Sequence, residues 1–361
     1  MSRKIRVAIV MGGRSSEHEI SLESARSVIE GLDPERFETV TIEIDRDGKQ
    51  WALEAAVEQS ALAAAHERRA LSGHAQGSDP EPWSLETLPV PGTSGTVAQA
   101  LAAVDVVFPV LHGPFGEDGT VQGMLELAGV PYVGAGVLGS ALCMDKDLFK
   151  AVMRDADIPV TRNVTLRDGE PAHNPFGYPV FVKPARLGSS IGITKAHDDA
   201  ELVEAVELAF RHDDKVLVEE FVDGIEVEVG VLGSRRSPLV SLPGEIVVKE
   251  GEWYDFDAKY DEDKMDLIVP ARIAPEQIER VQELAQRAFV VTECEGMVRA
   301  DCFVCSDGEV LVNELNTIPG FTATSVYAKL FEASGIPYPE LLDRLVELAL
   351  ERHERRSRLQ F

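Results

Sequence analysis

The chain opens with an apolar run at residues 5–10, a turn at Gly12 and Gly13, helically spaced apolar positions over 21–32, and a second apolar run at 39–44. Short apolar runs alternating with a 3.6-residue period predict strand, helix and strand, the pattern of an α/β unit on a mostly parallel sheet. From 51 to 95 the texture changes to Ala- and Glu-rich sequence followed by Gly-Ser-Asp-Pro-Glu-Pro, which predicts a peripheral helical insertion. The α/β pattern resumes with a buried strand at 105–111, a loop at 112–119, a helix at 121–127 and a strand at 130–133, closing a first unit near Gly134.

A second unit is expected to hold helices at 140–155, a strand at 178–182, a Gly/Ser loop at 188–192, a helix at 199–210 and a strand at 216–220. The third is richer in strands: 226–232, 245–248, an acidic loop at 253–264, a helix at 275–292, a hairpin over 298–316, and helices to the end. The expected organisation is therefore α/β, becoming α+β toward the C-terminus, with units at 1–134, 135–220 and 221–361. No fixed-period repeat interrupts it.

Composition narrows the function. Thirty-five Lys and Arg stand against 62 Asp and Glu, a formal charge of −27, which disfavours nucleic acid or any partner held by a polyanionic backbone. A small phosphate ligand stays open, because a few lysines converging on one cleft override the mean field. No apolar run approaches the ~20 residues that cross a bilayer, and the N-terminus reads as a first strand rather than a signal segment. Four cysteines are too few to staple 361 residues, so a reducing cytoplasm is expected. Cys302-x-x-Cys305 falls on a predicted strand without a second ligand pair and is read as structural.

The hairpin carries the strongest local argument. Asp307-Gly308 predicts a two-residue turn pairing Ser306 with Glu309, and counting back pairs Asp301 with Glu314 and Arg299 with Asn316, all on one face. Directly opposed carboxylates repel, so this pairing suits a cation between them. Asp301, Glu314 and an Asn316 amide oxygen would make a hard oxygen site for Mg²⁺; the alternative is a solvent-facing surface neutralised by Arg299. A second feature is the strand ending in Lys183-Pro184 followed by Gly188-Ser189-Ser190-Ile191-Gly192, whose backbone N–H groups, hydroxyls and lysine suit a phosphate. It is not a Walker A loop, and a Gly/Ser loop seen alone is a flexible turn more often than a phosphate cradle. Lys146, after Met144-Asp145, is a further candidate cation or a solvated helix lysine. Glu17 and His112 follow predicted strands, where open α/β sheets bind ligands; a helix-dipole and a loop-holding role stand beside the binding ones. Pro319-Gly320 to Ser325 leads into a helix start suited to a carboxylate or to ordinary capping.

Taken in order, Gly12-Gly13-x-Ser-x-Glu17-x-x-x-Ser21, His112-Gly-x-x-Gly-Glu-Asp-Gly119, Met144-Asp145-Lys146, Lys183-Pro184, Gly188-Ser189-Ser190-x-Gly192, Lys259-Tyr260, Arg299-x-Asp301 and Glu314-x-Asn316-Thr-x-Pro-Gly320 resemble the D-alanine:D-alanine ligases. The resemblance spans nearly the whole chain outside 51–95. It implies an ATP-grasp fold with a Rossmann-like first domain. It further implies ATP-dependent joining of two D-alanines through an acyl phosphate for peptidoglycan precursor synthesis, with Mg²⁺ or Mn²⁺ as cofactor and a homodimer as the expected assembly.

By the same resemblance Asp301, Glu314 and Asn316 hold the metal, while Lys146, Lys183 and Lys259 neutralise phosphate. Glu219, Phe221, Val222, Glu226, Asn313, Glu314, Ser189 and Ser190 surround the nucleotide. Arg299 and the Gly320 N–H stabilise the oxyanion, Glu17 and His112 hold the first D-alanine, and Ser325 receives the second carboxylate. Glu17, Ser189 and Tyr260 form a hydrogen-bonded closing group. Ala258-Lys259-Tyr260 is similar to the dipeptide-forming members rather than the D-lactate ligases. The rivals are another ATP-grasp ligase differing at Glu17, Ser189, Tyr260 and Ser325, a catalytically dead nucleotide-binding regulator, and a nicotinamide dehydrogenase, which the missing third glycine disfavours.

Overall fold

The computed structural model describes residues 3–49, 51–55, 101, 103–189, 191–249 and 265–360. The first sheet has the order β3-β2-β1-β4, built from β1 (Ile5–Gly12), β2 (Phe37–Ile44), β3 (Trp51–Ala55) and β4 (Val106–Pro109), with helices α1 (His18–Gly31) and α2 (Thr120–Leu127). β1 pairs in parallel with β2 and with β4. Its run Val7, Ala8, Ile9 and Val10 is buried on both faces, as a central parallel strand requires. At the end of β1, Gly12 has φ +85° and a Cβ there would meet the Ile44 carbonyl oxygen at 2.3 Å, so only glycine makes this turn into α1. The Ser21 hydroxyl accepts from the Gly12 N–H at 2.8 Å and donates to the Val110 carbonyl, tying the ends of β1 and β4.

Two expectations fail here. The segment expected to begin a helical insertion starts instead as β3, antiparallel to β2, because β2 would otherwise leave its backbone donors and acceptors on an open edge. The rest of that insertion lies outside the described residues. The strand expected at 130–133 reduces to a single bridge between Tyr132 and Val107.

The second sheet has the order β5-β8-β6-β7. It follows helices α3 (Val137–Met144) and α4 (Lys146–Asp155), and contains β5 (Asn163–Arg167), β6 (Val180–Pro184), β7 (Thr194–Ala196) and β8 (Lys215–Glu220), with α5 (Asp199–Ala209) between the last two. Helices are expected at 140–155, and Asp145 is the residue that separates the two. Its backbone is extended, and its carboxylate accepts from the Leu148 N–H at 3.1 Å, so it ends α3 and caps α4. The same carboxylate holds Lys215 at 2.5 and 2.6 Å, which fixes Lys146 at the first position of α4.

The third sheet runs β12-β11-β9-β13-β14, with β10 on β9. Its elements are β9 (Gly224–Ser234), β10 (Ser237–Val240), β11 (Gly244–Val248), β12 (Met265–Ile268), α6 (Pro275–Val291), β13 (Gly296–Cys305), β14 (Val310–Asn316), α7 (Val326–Ala333) and α8 (Tyr338–Ser357). The hairpin turn has three residues rather than two: the Cys305 N–H donates to Glu309 at 2.8 Å, the Gly308 N–H donates back to Cys305 at 2.9 Å, and Gly308 takes φ +92°. A register shift between Asp301 and Cys302 absorbs the difference. Arg299 therefore pairs with Asn316 and Asp301 with Glu314, as counted from the sequence.

α8 folds back against the first sheet. Leu341, Leu342, Leu345, Val346 and Ala349 share one core with Val7, Ile9, Leu22, Ala25 and Phe108. The buried Arg352 guanidinium closes this seam, donating to the Gly134 carbonyl and, at 2.6 Å, to that of Tyr132, with its plane 4.3 Å from the Tyr132 ring. Arg352→Met would leave two buried carbonyls without donors, and is expected to lower stability by about 2–4 kcal/mol in urea unfolding.

Candidate functional site

A cavity of about 490 Å³ opens between the second and third sheets. Of the residues selected from the sequence, Lys146, Lys183, Ser189, Glu219, Phe221, Val222, Glu226, Asn313 and Glu314 all line it. Its apolar wall, not anticipated from the sequence, includes Phe181 and Ile246. Phe181 stacks on Phe221 with ring centres 6.3 Å apart, and the Lys195 ammonium lies 4.8 Å from the Phe221 ring. An apolar slot at one end and lysines at the other suit a flat heterocycle carrying phosphates.

The lysines are arranged by carboxylates. Lys183 lies 2.6 Å from Glu219, and the wholly buried Lys150 approaches the same carboxylate at 3.1 Å from α4. Burial alone would raise the Glu219 carboxyl, but Lys150 and Lys183 outweigh it and hold it at about 2. Lys146 donates to the Leu187 carbonyl at 2.8 Å and pairs with Glu314 at 3.3 Å.

A second cavity of about 690 Å³ is lined by Glu17, His112, Arg299, Asn316, Gly320 and Ser325 among others. Gly188 and Ser189 border both cavities, so the two communicate across the Gly/Ser loop. Ser189 has a left-handed φ of +52°, a strained setting for a residue with a side chain, and its hydroxyl donates to the Glu17 carboxylate. Asp301 is buried behind Arg299, whose Nε and Nη2 donate to its two oxygens at 2.7 and 2.8 Å. The Asn316 amide donates to Asp301 at 3.0 Å. Ser190, Lys259 and Tyr260 lie outside the described residues.

Three contributors were not singled out from the sequence. Glu228, wholly buried on β9, pairs in register with Asp301 and lies 2.9 Å from Arg299; the alternation Glu226-Val-Glu228 was its only signal. Lys150 stands four residues after Lys146, on the same face of α4. Glu117 accepts from the Gly113 N–H at 2.8 Å and the Ile318 N–H at 2.9 Å. Burial and the nearby Glu17 carboxylate push its carboxyl up to about 8. His112 reaches the Ile318 carbonyl at 2.9 Å, and burial pulls its imidazole below the ordinary value toward the neutral form. Ser24 and Ser27 accept the N–H groups of Phe321 and Ala323. First-sheet residues thus hold the segment carrying Gly320 and Ser325.

Among the described residues no cluster of three or more His, Cys, Asp or Glu side chains is arranged to hold a metal ion. What the hairpin offers is two directly opposed carboxylates and one amide, hard donors that a phosphate ligand would have to supplement.

Two antiparallel sheets enclosing a lysine-bearing cleft, joined to a Rossmann-like sheet that completes a second cavity, define an ATP-grasp protein. The sequence matches the family models described as D-ala D-ala ligase N-terminus over residues 6–135 and D-ala D-ala ligase C-terminus over 152–347. The chain belongs to the D-alanine:D-alanine ligase family. It is 47% identical to the D-alanine–D-alanine ligase of Streptomyces avermitilis, covering 97% of this chain and 95% of that one. The D-alanine-D-alanine ligase structure from Coxiella burnetii aligns with a TM-score of 0.79 at 36% identity over 99% of this chain and 97% of its own. The VanG D-Ala:D-Ser ligase from Enterococcus faecalis aligns at 0.80 and 36% over 96% and 100%.

The Glu219 carboxyl lies below its ordinary value of 4.5, so its stabilising contribution is present above that pH and is lost as pH falls toward 2. Glu219→Gln should therefore be destabilised by about 3 kcal/mol or more near neutrality. The gap to the wild-type protein should narrow in thermal unfolding as the solution is acidified.

Proposed function

We infer that this protein joins two D-alanines at the expense of ATP, releasing ADP and phosphate and supplying D-alanyl-D-alanine for peptidoglycan precursors. The observation that carries the reading is the hairpin face, where Arg299, Asp301, Glu314 and Asn316 stand in register at the junction of the two cavities. Family membership supports it independently.

On this reading the adenine occupies the slot beside Phe221 and Val222, Glu226 and Asn313 border the nucleotide, and Lys146, Lys183 and Lys259 neutralise the phosphates. The first D-alanine presents its ammonium to Glu17, with His112 beside it, and its carboxylate takes the γ-phosphoryl group of ATP. The free amine of the second D-alanine attacks the resulting acyl phosphate. Arg299 and the Gly320 N–H carry the oxyanion charge of the tetrahedral intermediate, which collapses with loss of phosphate. Ser325 and the start of α7 receive the second carboxylate. Ser189 latched to Glu17, with Tyr260, keeps water from the acyl phosphate. Asp301, Glu314 and Asn316 would hold Mg²⁺ together with phosphate oxygens; when bound, the ion neutralises charge on the transferring phosphoryl group. Arg299 then has to share Asp301.

We further propose the division at 1–134, 135–220 and 221–361, a homodimer and a cytoplasmic location. The dimer rests on the family resemblance alone and is checked by sedimentation. No described helix is long and apolar enough to cross a membrane.

Mg-ATP with D-alanine should release phosphate and give a dipeptide identified by mass, while L-alanine gives neither. Because one structural relative is a D-Ala:D-Ser ligase, mixtures of D-alanine with D-serine and with D-lactate belong in the same assay. Dominance of either mixed product would refute the assigned second substrate. Arg299→Ala should lower kcat by about 10² to 10³ while Mg-ATP binding stays near the wild-type level; near-wild-type turnover would remove Arg299 from its oxyanion role.

A further inference from the structure

Lys150 has no part in the roles assigned above, yet its side chain is wholly buried behind Glu219 and Thr161, which line the nucleotide cleft. A buried ammonium costs several kcal/mol unless it is paired and hydrogen-bonded. Lys150 has both kinds of partner: its Nζ donates to the Thr161 hydroxyl and lies 3.1 Å from Glu219 Oε1. The other Glu219 oxygen, Oε2, lies 2.6 Å from Lys183. One buried carboxylate is thus divided between two ammonium groups, and the trio keeps one net positive charge. For stability alone a single lysine would neutralise Glu219, and the second adds desolvation without further neutralisation. The surplus is local to the trio: beyond it, Lys146 and Glu314 are paired with each other, and the Glu314 and Glu226 carboxylates also act on Lys183.

We propose that Lys150 is a positioning residue for the nucleotide: by sharing Glu219 it keeps the charge of Lys183 available to the phosphates of ATP. This rests on the ligase reading of the cleft. Without Lys150, Glu219 would neutralise Lys183, and the remaining pair would meet a polyphosphate with no net charge. Protonating Glu219 would then restore the surplus, so a variant lacking Lys150 should regain nucleotide affinity in acid. Loss of packing alone would show no such recovery.

The test is Lys150→Met, close in length to lysine, compared with the wild-type protein by calorimetric titration with Mg-ATP in the absence of D-alanine. Near neutral pH the variant should bind about tenfold more weakly, with the KM for D-alanine within about twofold of wild type. On lowering the pH to about 5.5, the ratio of variant to wild-type Kd should shrink, because Glu219 is no longer held down by two cations. Equal affinities overturn the proposal, as does a ratio that does not change with pH, or a D-alanine KM that rises in step with that for ATP. If Lys150→Met does not fold, Thr161→Val removes the hydroxyl that holds Lys150 while keeping the shape; about threefold weaker Mg-ATP binding is expected, and unchanged binding overturns the proposal. A wild-type protein that fails to bind Mg-ATP would refute the ligase reading instead, whatever the variants do.

Discussion

Glu228, Asp301 and Glu314 stand side by side on β9, β13 and β14, a row that runs to the edge strand of the third sheet. Adjacent like charges in a sheet repel, and burial sharpens the repulsion because little water screens it. The row persists because cations are built in around it: Arg299 lies against Glu228 and Asp301, and Lys146 lies against Glu314. Much of the surrounding architecture serves these contacts. Asp145 ends α3 and starts α4 with Lys146. The register shift beside Asp301 restores the pairing that the three-residue turn had displaced. A sheet with apolar residues at these positions would be easier to fold, so the row is best understood as a charge arrangement waiting for a ligand.

The second cavity depends on the first sheet in a different way. Gly320 and Ser325 follow β14 in the chain, but their segment is held by Ser24 and Ser27 on α1 and by His112 and Glu117 from the loop after β4. The cavity-lining residues Gly320 and Ser325 and the supports that aim them thus come from opposite ends of the chain. The Ser189 bond to Glu17 adds a third attachment, from the loop that borders both cavities.

What the sequence disclosed followed from where its chemistry is local. Asp301 facing Glu314 could be counted from one turn, and the count survived an error in the turn because the register shift compensated for it. Lys146, Lys183 and the Gly/Ser loop were legible because each sits at the end of an element, where glycine, proline and capping residues mark the boundary. Lys150, Glu117 and Glu228 were not, since each acts through a partner far along the chain: Lys150 through Glu219, Glu117 through Ile318, Glu228 through Arg299. A buried charge looks like a surface charge until its partner is known. The strand β3 was missed for a related reason, its pairing with β2 being set by an open edge rather than by its own composition.

The return of α8 to the first sheet bears on how the chain is made. Val7 and Ile9 share a core with Leu345 and Val346, and Arg36 on the rim of the first sheet pairs with Asp343 and Glu347 of that helix. On the ribosome the opening strands emerge long before the helix that covers one of their faces. The first sheet must therefore hold an apolar surface without its cover while the two later sheets are synthesised. Its cover is made after both later sheets, and the second cavity, which leans on that sheet, can be completed only afterwards.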